Sequence, residues 1–537
     1  MKLDFDRYAY PSRRNVVFSS RGMCATGNPL AAQAGLEIMQ KGGNAIDAAL
    51  SMAMCLPVME PTANGMGGDV FAIIYSKGKL YGLNASGWAP KNLSLKSLEE
   101  KGLKEIPVYG FEAVTVPGQP AAWASLSGRF GNLPLTEVAG PAVNFAKNGF
   151  PVQAAVANAW RKGMSNYKAN ADDEAHKHVF DTFTRNGETP KAGEIWKYKH
   201  MGDNIMEIAE TKSESFYKGA LMEKIVKFSD KVGGYFDKSD FTEFNPLWVD
   251  PVSTNYRGYD VFEIPPNGSG MTALMALNIL ENFTLDSERE TARNYHLQLE
   301  AMKLAYADAV EYLADPNFMN MSIEALLSKD YARERAKLIN MDRAGLYTFG
   351  QPKGSGTVYL CAADGEGNMI SYIQSNYMGF GSGIVVEGTD IGLHNRGHNF
   401  SITEGHANCL APRKRPYNTI IPGFLMKDGK AVGPFGVMGG FMQPQGHMQM
   451  MVNTIDFGMN PQNSLDAPRW RWIKGKASEL EWFTQNDIVN KLASMGHEIS
   501  VNYTGGVVGR GEIIWRMENG VLVGGTEPRT DGMIAAF

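Results

Sequence analysis

A threonine that ends a flexible stretch and opens a β-forming run is the first place where this chain suggests covalent chemistry. Gln351-Pro-Lys-Gly-Ser-Gly356 has no apolar anchor, and it runs directly into Thr357-Val-Tyr-Leu-Cys-Ala-Ala363. Gly356 minimises bulk before the threonine hydroxyl, and Gly354, Ser355 and Gly356 permit strained backbone geometry. One reading is self-cleavage. The Thr357 hydroxyl attacks the preceding carbonyl, and hydrolysis of the resulting ester releases Thr357 as a new N-terminus. Its α-amine, with an ordinary pKa of about 7.7–8.0, then suits the role of base for its own hydroxyl. The other reading is an ordinary Gly-Ser-Gly loop before a β-branched strand residue.

Gly439-Gly440 is the second feature. It follows a predicted strand over 431–437 and precedes a predicted helix from about Gln445. Consecutive glycine N–H groups beside a helix N-terminus make an oxyanion hole, although a glycine pair at a strand end also serves as a plain turn. His394, His398 and His406 cluster in sequence without metal-ligand spacing and read as loop residues. His447 either lines a cleft or caps and packs its helix. Gly65-x-Gly67-Gly68 and Gly379-x-Gly381-x-Gly383 lack the Lys-Ser/Thr of a phosphate loop and read as turns.

The elements that must hold these groups are legible around them. Pro29 to Met39 has helical spacing and stops at Gly42-Gly43, and Asn44 caps a second, alanine-rich helix predicted to be buried. Strands follow at Val70-Phe-Ala-Ile-Ile-Tyr75 and Leu80-Tyr-Gly-Leu83. Residues 115–350 read mainly as helices, with 170–215 as a polar surface insertion. Asp364-Gly-Glu-Gly367 turns the Thr357 strand into a returning strand, Asn368-Met-Ile-Ser-Tyr-Ile-Gln374, so this region is a hairpin.

Composition narrows the class. The 537 residues suffice for a large core, and 52 Lys+Arg against 57 Asp+Glu leave a net charge of −5. That balance gives no footprint for nucleic acid or an anionic membrane. The 59 glycines, about 11% against roughly 7% in typical proteins, imply many tight turns. Cys24, Cys55, Cys361 and Cys409 are scattered, which fits reduced thiols in a cytoplasmic protein. Met1-Lys-Leu-Asp-Phe-Asp-Arg7 contains no apolar run, so no secretory signal is expected, and no stretch approaches a membrane span.

Taken together, a set of short motifs resembles the γ-glutamyltranspeptidase family and its cephalosporin-acylase-like relatives. They include Gly42-Gly-Asn-Ala-Ile-Asp-Ala-Ala49, Gly65-Met-Gly-Gly68, Val116-Pro-Gly118 and Tyr256-Arg-Gly-Tyr259. Glu300-Ala-Met-Lys-Leu-Ala-Tyr-Ala-Asp308, Gly356-Thr-Val-Tyr359, Asp466-Ala-Pro-Arg469 and Pro528-Arg529 continue the match from about residue 15 to the end. The resemblance implies an N-terminal-nucleophile hydrolase of α+β class, a four-layer αββα sandwich. It also implies a precursor cut between Gly356 and Thr357 into a large subunit (1–356) and a small one (357–537). By the same resemblance Thr357 is the nucleophile and Gly439 and Gly440 form the oxyanion hole. Gln374 stands where a Thr supports the nucleophile, and Asn376 matches a substrate-contacting Asn.

The substrate positions depart from the transpeptidase pattern. Ser86 replaces the carboxylate-clamping Arg, Asn399 replaces the Asp that receives the α-amine, and Lys414-Arg415 replaces a Ser-Ser pair. Losing an Arg–carboxylate fork removes a strong contact, and Arg396 or Arg415 is the candidate replacement cation. The stretch 401–415 is shorter than the lid loop of many bacterial transpeptidases. The expected activity is therefore cleavage of γ-glutamyl amides through an acyl-enzyme, with water or an amine as acceptor. A glutaryl-amide (cephalosporin-type) acylase is the alternative, and an unprocessed, non-catalytic binding protein is the alternative of another class. No metal or organic cofactor is expected, and a homodimer is admitted.

Overall fold

The computed structural model describes residues 14–170, 173–347, 357–504 and 506–537. The linker glycines 354 and 356, Ser355 and the N-terminal heptad fall outside them, as does the scissile bond.

Two seven-stranded sheets form the centre. In the first, strands run in the order Met533–Ala536, Gly22–Thr26, Val358–Asp364, Met369–Ser375, Asp69–Ser76, Lys79–Ala85, Leu247–Val249. In the second the order is Val17–Ser19, Leu522–Thr526, Arg510–Arg516, Lys430–Met438, Gly423–Lys427, Tyr259–Glu263, Val252–Tyr256. The expected hairpin is present, with Val358 opposite Gln374 and Ala363 opposite Met369.

The two-residue period of the strands sorts side chains between layers. Tyr359, Cys361, Ala363 and Ile373 face the second sheet, where they meet Ile420, Phe424 and Ile514. Val358, Leu360, Ala362, Ile370 and Tyr372 face outward, onto the helix Ala45–Met59 and its neighbours. On the far side Gly270–Leu280, Ala292–Tyr312 and Gln443–Ile455 cover the second sheet. Helices, sheet, sheet, helices give the αββα order.

The alanine-rich helix is buried along its whole length. Asn44 caps its start, as the sequence suggested, and Asp47 completes a reciprocal capping box. Gly35 lets the preceding helix approach, since a Cβ there would lie 3.0 Å from the Ala48 carbonyl oxygen.

Two expectations need correction. The stretch 170–215 is not a surface insertion throughout: Trp196, Ile205, Ile208 and Ala209 are buried, because the helix Met201–Glu210 turns its apolar face toward Leu135–Asn148 and its charges to solvent. Within 115–350, Val252–Tyr256 and Tyr259–Glu263 form a hairpin around Arg257-Gly258, whose positive φ angles permit the tight reversal.

Candidate functional site

Thr357 immediately precedes the strand Val358–Asp364, third in the order of the first sheet, and it is fully buried. Its hydroxyl oxygen is 3.1 Å from Ser375 Oγ on the neighbouring strand. The parity that sends Val358 and Gln374 outward sends Thr357 and Ser375 to the other side. Ser375 Oγ also accepts a 2.7 Å hydrogen bond from the Tyr377 N–H, which fixes its position. Gln443, the first residue of the helix Gln443–Ile455, extends Nε2 to 3.4 Å from Thr357 Oγ1. Its Oε1 accepts from the Ile421 N–H at 2.9 Å, so the amide orientation is set.

The glycine pair stands between the strand Lys430–Met438 and that helix. Gly439 has φ +134° and Gly440 φ +59°, conformations that other residues adopt only under strain. A Cβ on Gly439 would also come within 3.2 Å of Gly509 Cα. The Tyr306 hydroxyl donates to the Phe441 carbonyl and braces the turn. The helix N-terminus adds a positive potential on the side where Gln443 reaches Thr357.

Gln374 is not beside Thr357. Its Nε2 donates to the Ala53 carbonyl at 3.0 Å and to Asn64 Oδ1 at 2.7 Å, on the helix-facing side of the sheet. Ser375, one residue later, is the residue that meets Thr357 where Gln374 was expected. Asn376 is buried against the glycine loop: its backbone N–H donates to the Ala63 carbonyl, and its amide would be 3.1 Å from a Cβ on Gly65.

Arg396 is also spent within the protein. Its Nε and one terminal nitrogen form a bidentate pair with Asp69, at 2.7 and 3.1 Å. The other terminal nitrogen donates to Thr419 Oγ1 at 2.8 Å, and Asn418 adds a bond to Asp69. The guanidinium lies 4.6 Å from the Tyr377 ring centroid, so Arg396 holds the cleft wall and is not a free carboxylate clamp. Neighbouring His394, at 3.0 Å from Thr115 Oγ1, has its pKa pushed down to about 4 by burial, with Arg396 adding to the effect and Asp69 opposing it.

A cleft of about 240 Å³ opens against Tyr377, His398, Asn399, Phe400, Ile402 and Phe441. Two of its lining residues neighbour the site in sequence: Tyr377 follows Ser375 by two residues, and Phe441 follows Gly440. Asn399 is half-buried there, with its Nδ2 donating to the Tyr417 carbonyl at 3.0 Å.

Ser86 and Arg415 lie together. Arg415 Nε donates to the Ser86 carbonyl at 3.0 Å, and its guanidinium lies 5.3 Å from the Trp88 ring centroid. One Arg415 terminal nitrogen is buried with no hydrogen-bond partner among the described residues, and burial lowers the guanidinium pKa. The Ser86 hydroxyl is closed into a cluster with Asn84 and Asn267, donating to Asn84 Oδ1 at 2.7 Å. Each Arg396 guanidinium nitrogen has a hydrogen-bond partner, whereas Arg415 keeps one nitrogen without a partner among the described residues. Lys414 is buried beside it, 4.0 Å from the Phe318 ring centroid.

Sequence reading missed Ser375, Gln443, Tyr377 and Asp69. The first was within reach: a hairpin that pairs 358 with 374 places 357 against 375. The others depend on contacts between distant segments.

Comparison with known proteins bears on the family and the fold. The family model described as Gamma-glutamyltranspeptidase matches residues 31–537. The crystal structure of cephalosporin acylase from Bacillus halodurans is 52% identical, with a TM-score of 0.97, covering 100% of this chain and 99% of that one. The glutathione hydrolase-like YwrD proenzyme of Bacillus subtilis (strain 168) is 37% identical over 96% of this chain and 98% of its own length. The glutathione hydrolase proenzyme of Escherichia coli (strain K12) is 30% identical over 97% of this chain and 93% of its own.

Proposed function

Since the chain belongs to the γ-glutamyltranspeptidase family, we propose that Thr357 is the nucleophile of a self-processing amidohydrolase/acyltransferase that cleaves γ-glutamyl amides. The fold is that of an N-terminal-nucleophile hydrolase, and the protein is an enzyme of the hydrolase/transferase type. The non-catalytic reading is set aside.

The precursor divides into a large subunit, 1–356, and a small one, 357–537. The observation that carries this reading is the buried Thr357 hydroxyl, held by Ser375 and Gln443 beside the Gly439-Gly440 turn. In the processed enzyme the free α-amine of Thr357 takes the hydroxyl proton as Oγ1 attacks the substrate carbonyl. The Gly439 and Gly440 N–H groups receive the oxyanion, and the amine departs with the proton. Water or an acceptor amine then attacks the Thr357 ester and releases the acyl group.

The pocket favours a second reading, a glutaryl-amide acylase. Asn399, and not a carboxylate, occupies the position for a substrate α-amine, so the charge that would hold an ammonium is missing there. Arg415 offers a donor for the acyl carboxylate. The 52% identity to a protein titled cephalosporin acylase points the same way. No helix among the described residues is long and apolar enough to cross a membrane, and all four cysteines are unpaired. Those thiols support a cytoplasmic location.

A denaturing gel tests processing. Fragments of 356 and 181 residues (537 − 356) are expected, and Thr357→Ala should leave one chain without activity. A wild-type chain that stays intact on incubation sinks the processing claim. Release from γ-glutamyl and glutaryl anilides then separates the two substrate readings.

A further inference from the structure

A buried cluster far along the chain from Thr357 combines metal-ligand side chains with an unexplained polar atom. His296 and Glu300 lie four residues apart on the helix Ala292–Tyr312, so they share one face. His497, just beyond the helix Asn486–Ser494, meets them: its Nε2 is 2.8 Å from His296 Nδ1 and 3.8 Å from Glu300 Oε1. All three are buried, and one ligand atom from each lies within 4.8 Å of the others.

The surrounding hydrogen bonds orient these atoms inward. His296 Nε2 lies 2.8 Å from the Asn340 carbonyl oxygen, which can only accept. Nε2 therefore carries the proton, and Nδ1 turns a lone pair toward the centre. Glu300 Oε2 accepts from the Gly345 N–H at 2.9 Å and the Tyr347 hydroxyl at 2.8 Å, leaving Oε1 on the inner side. Outer hydrogen bonds to a carbonyl and to the second carboxylate oxygen are what metal-ligating His and Glu side chains normally make. Without an ion, His497 Nε2 donates to His296 Nδ1 and leaves His497 Nδ1 as a buried acceptor. It has no partner among the described residues. On metal binding the ring proton moves from Nε2 to Nδ1, which frees the Nε2 lone pair for the ion.

We propose that His296, Glu300 and His497 form a site for a divalent transition-metal ion of zinc type. Two imidazoles and one carboxylate are a ligand set that suits Zn²⁺. Bonds of about 2.0–2.1 Å in tetrahedral array set ligand atoms about 3.3 Å apart. The observed 2.8 and 3.8 Å lie on either side of that separation, and the remaining edge falls within 4.8 Å, so drawing the three ligands onto an ion takes shifts of up to about 1.5 Å. Lys303 now pairs with Glu300 and donates to the Gly345 carbonyl at 2.9 Å. The ion displaces that ammonium from Glu300 while the bond to Gly345 remains. Because Asn340, Gly345 and Tyr347 all hang on these ligands, the ion fastens the 340–347 segment, the last described part before Thr357. Three protein ligands leave the fourth position to water, and the ion's role is to fasten this segment, separate from the Thr357 reaction.

The test uses full-length protein stripped with a chelator and titrated with Co²⁺, followed by Zn²⁺. One Co²⁺ per chain is expected, with the intense visible bands of a four- or five-coordinate site, bleached by one equivalent of Zn²⁺. Zinc should raise the melting temperature. His497→Gln and His296→Asn should each weaken binding by about 100-fold or more, beyond the 10–100-fold typical of outer-shell changes. X-ray absorption of the wild-type zinc form, which needs no variant, should show two imidazole ligands. Absence of stoichiometric binding, a zinc shell without imidazole, or affinity unchanged in His497→Gln overturns the proposal.

Discussion

Thr357 and Ser375 face one another across adjacent antiparallel strands, their hydroxyl oxygens 3.1 Å apart, and Tyr377 N–H locks the serine in place. Ser375→Ala should therefore slow both processing and turnover by about 10–100-fold, the scale of one lost hydrogen bond of roughly 1–3 kcal/mol at a reacting group. Ser375→Thr should retain most of the rate. Single-turnover acylation measured on both variants checks this, and equal rates in Ser375→Ala and wild type would count against the assignment.

Gln374 should behave in the opposite way. Gln374→Ala removes the donors to Ala53 and Asn64 and leaves both acceptors buried, at a cost of about 1–3 kcal/mol in stability. Its kcat should stay near the wild-type value. A denaturant titration beside a steady-state assay separates the two residues.

The glycine pair should tolerate little. Gly440→Ala forces a side chain into φ +59°, and Gly439→Ala also brings a Cβ against Gly509. If their N–H groups hold the oxyanion, either change should cost about 10²–10³ in kcat. Thermal unfolding should confirm that the variants still fold.

The two arginines predict different losses. Arg396→Met leaves Asp69 buried without its fork and should destabilise the fold by about 3–5 kcal/mol. Arg415→Met should instead raise KM for anionic acyl groups about 10-fold or more, with kcat little changed. A KM that is the same for anionic and neutral acyl donors in both forms would remove Arg415 from the pocket.

Glu60 gives a pH signature. Burial pushes its pKa up from 4.5 to about 7, with Arg510 opposing and Asp531 adding to the shift. A carboxyl raised on folding favours the native state most below its unfolded pKa, and that contribution is lost as pH rises from about 4.5 through 7. The loss is on the order of 3 kcal/mol. Glu60→Gln should flatten this segment of the stability curve and exceed wild type at pH 8, as denaturant midpoints across pH would show.

The sequence by itself determined the features whose physics is local. The Asn44 cap, the alanine-rich helix and the hairpin around Asp364-Gly-Glu-Gly367 follow from neighbouring residues. Thr357 and Gly439-Gly440 could be singled out because a threonine after a glycine-containing linker and a glycine pair at a strand end are written in consecutive positions. Tertiary structure decided which groups surround them. Strand parity turned Gln374 away and Ser375 inward, and the meeting of the two sheets brought Gln443 to Thr357. Arg396 looked like a spare cation until Asp69, 327 residues away, was found in its fork. Pairing across such separations is set by how layers pack and which buried charge needs a partner, and neither is encoded in the spacing of nearby residues.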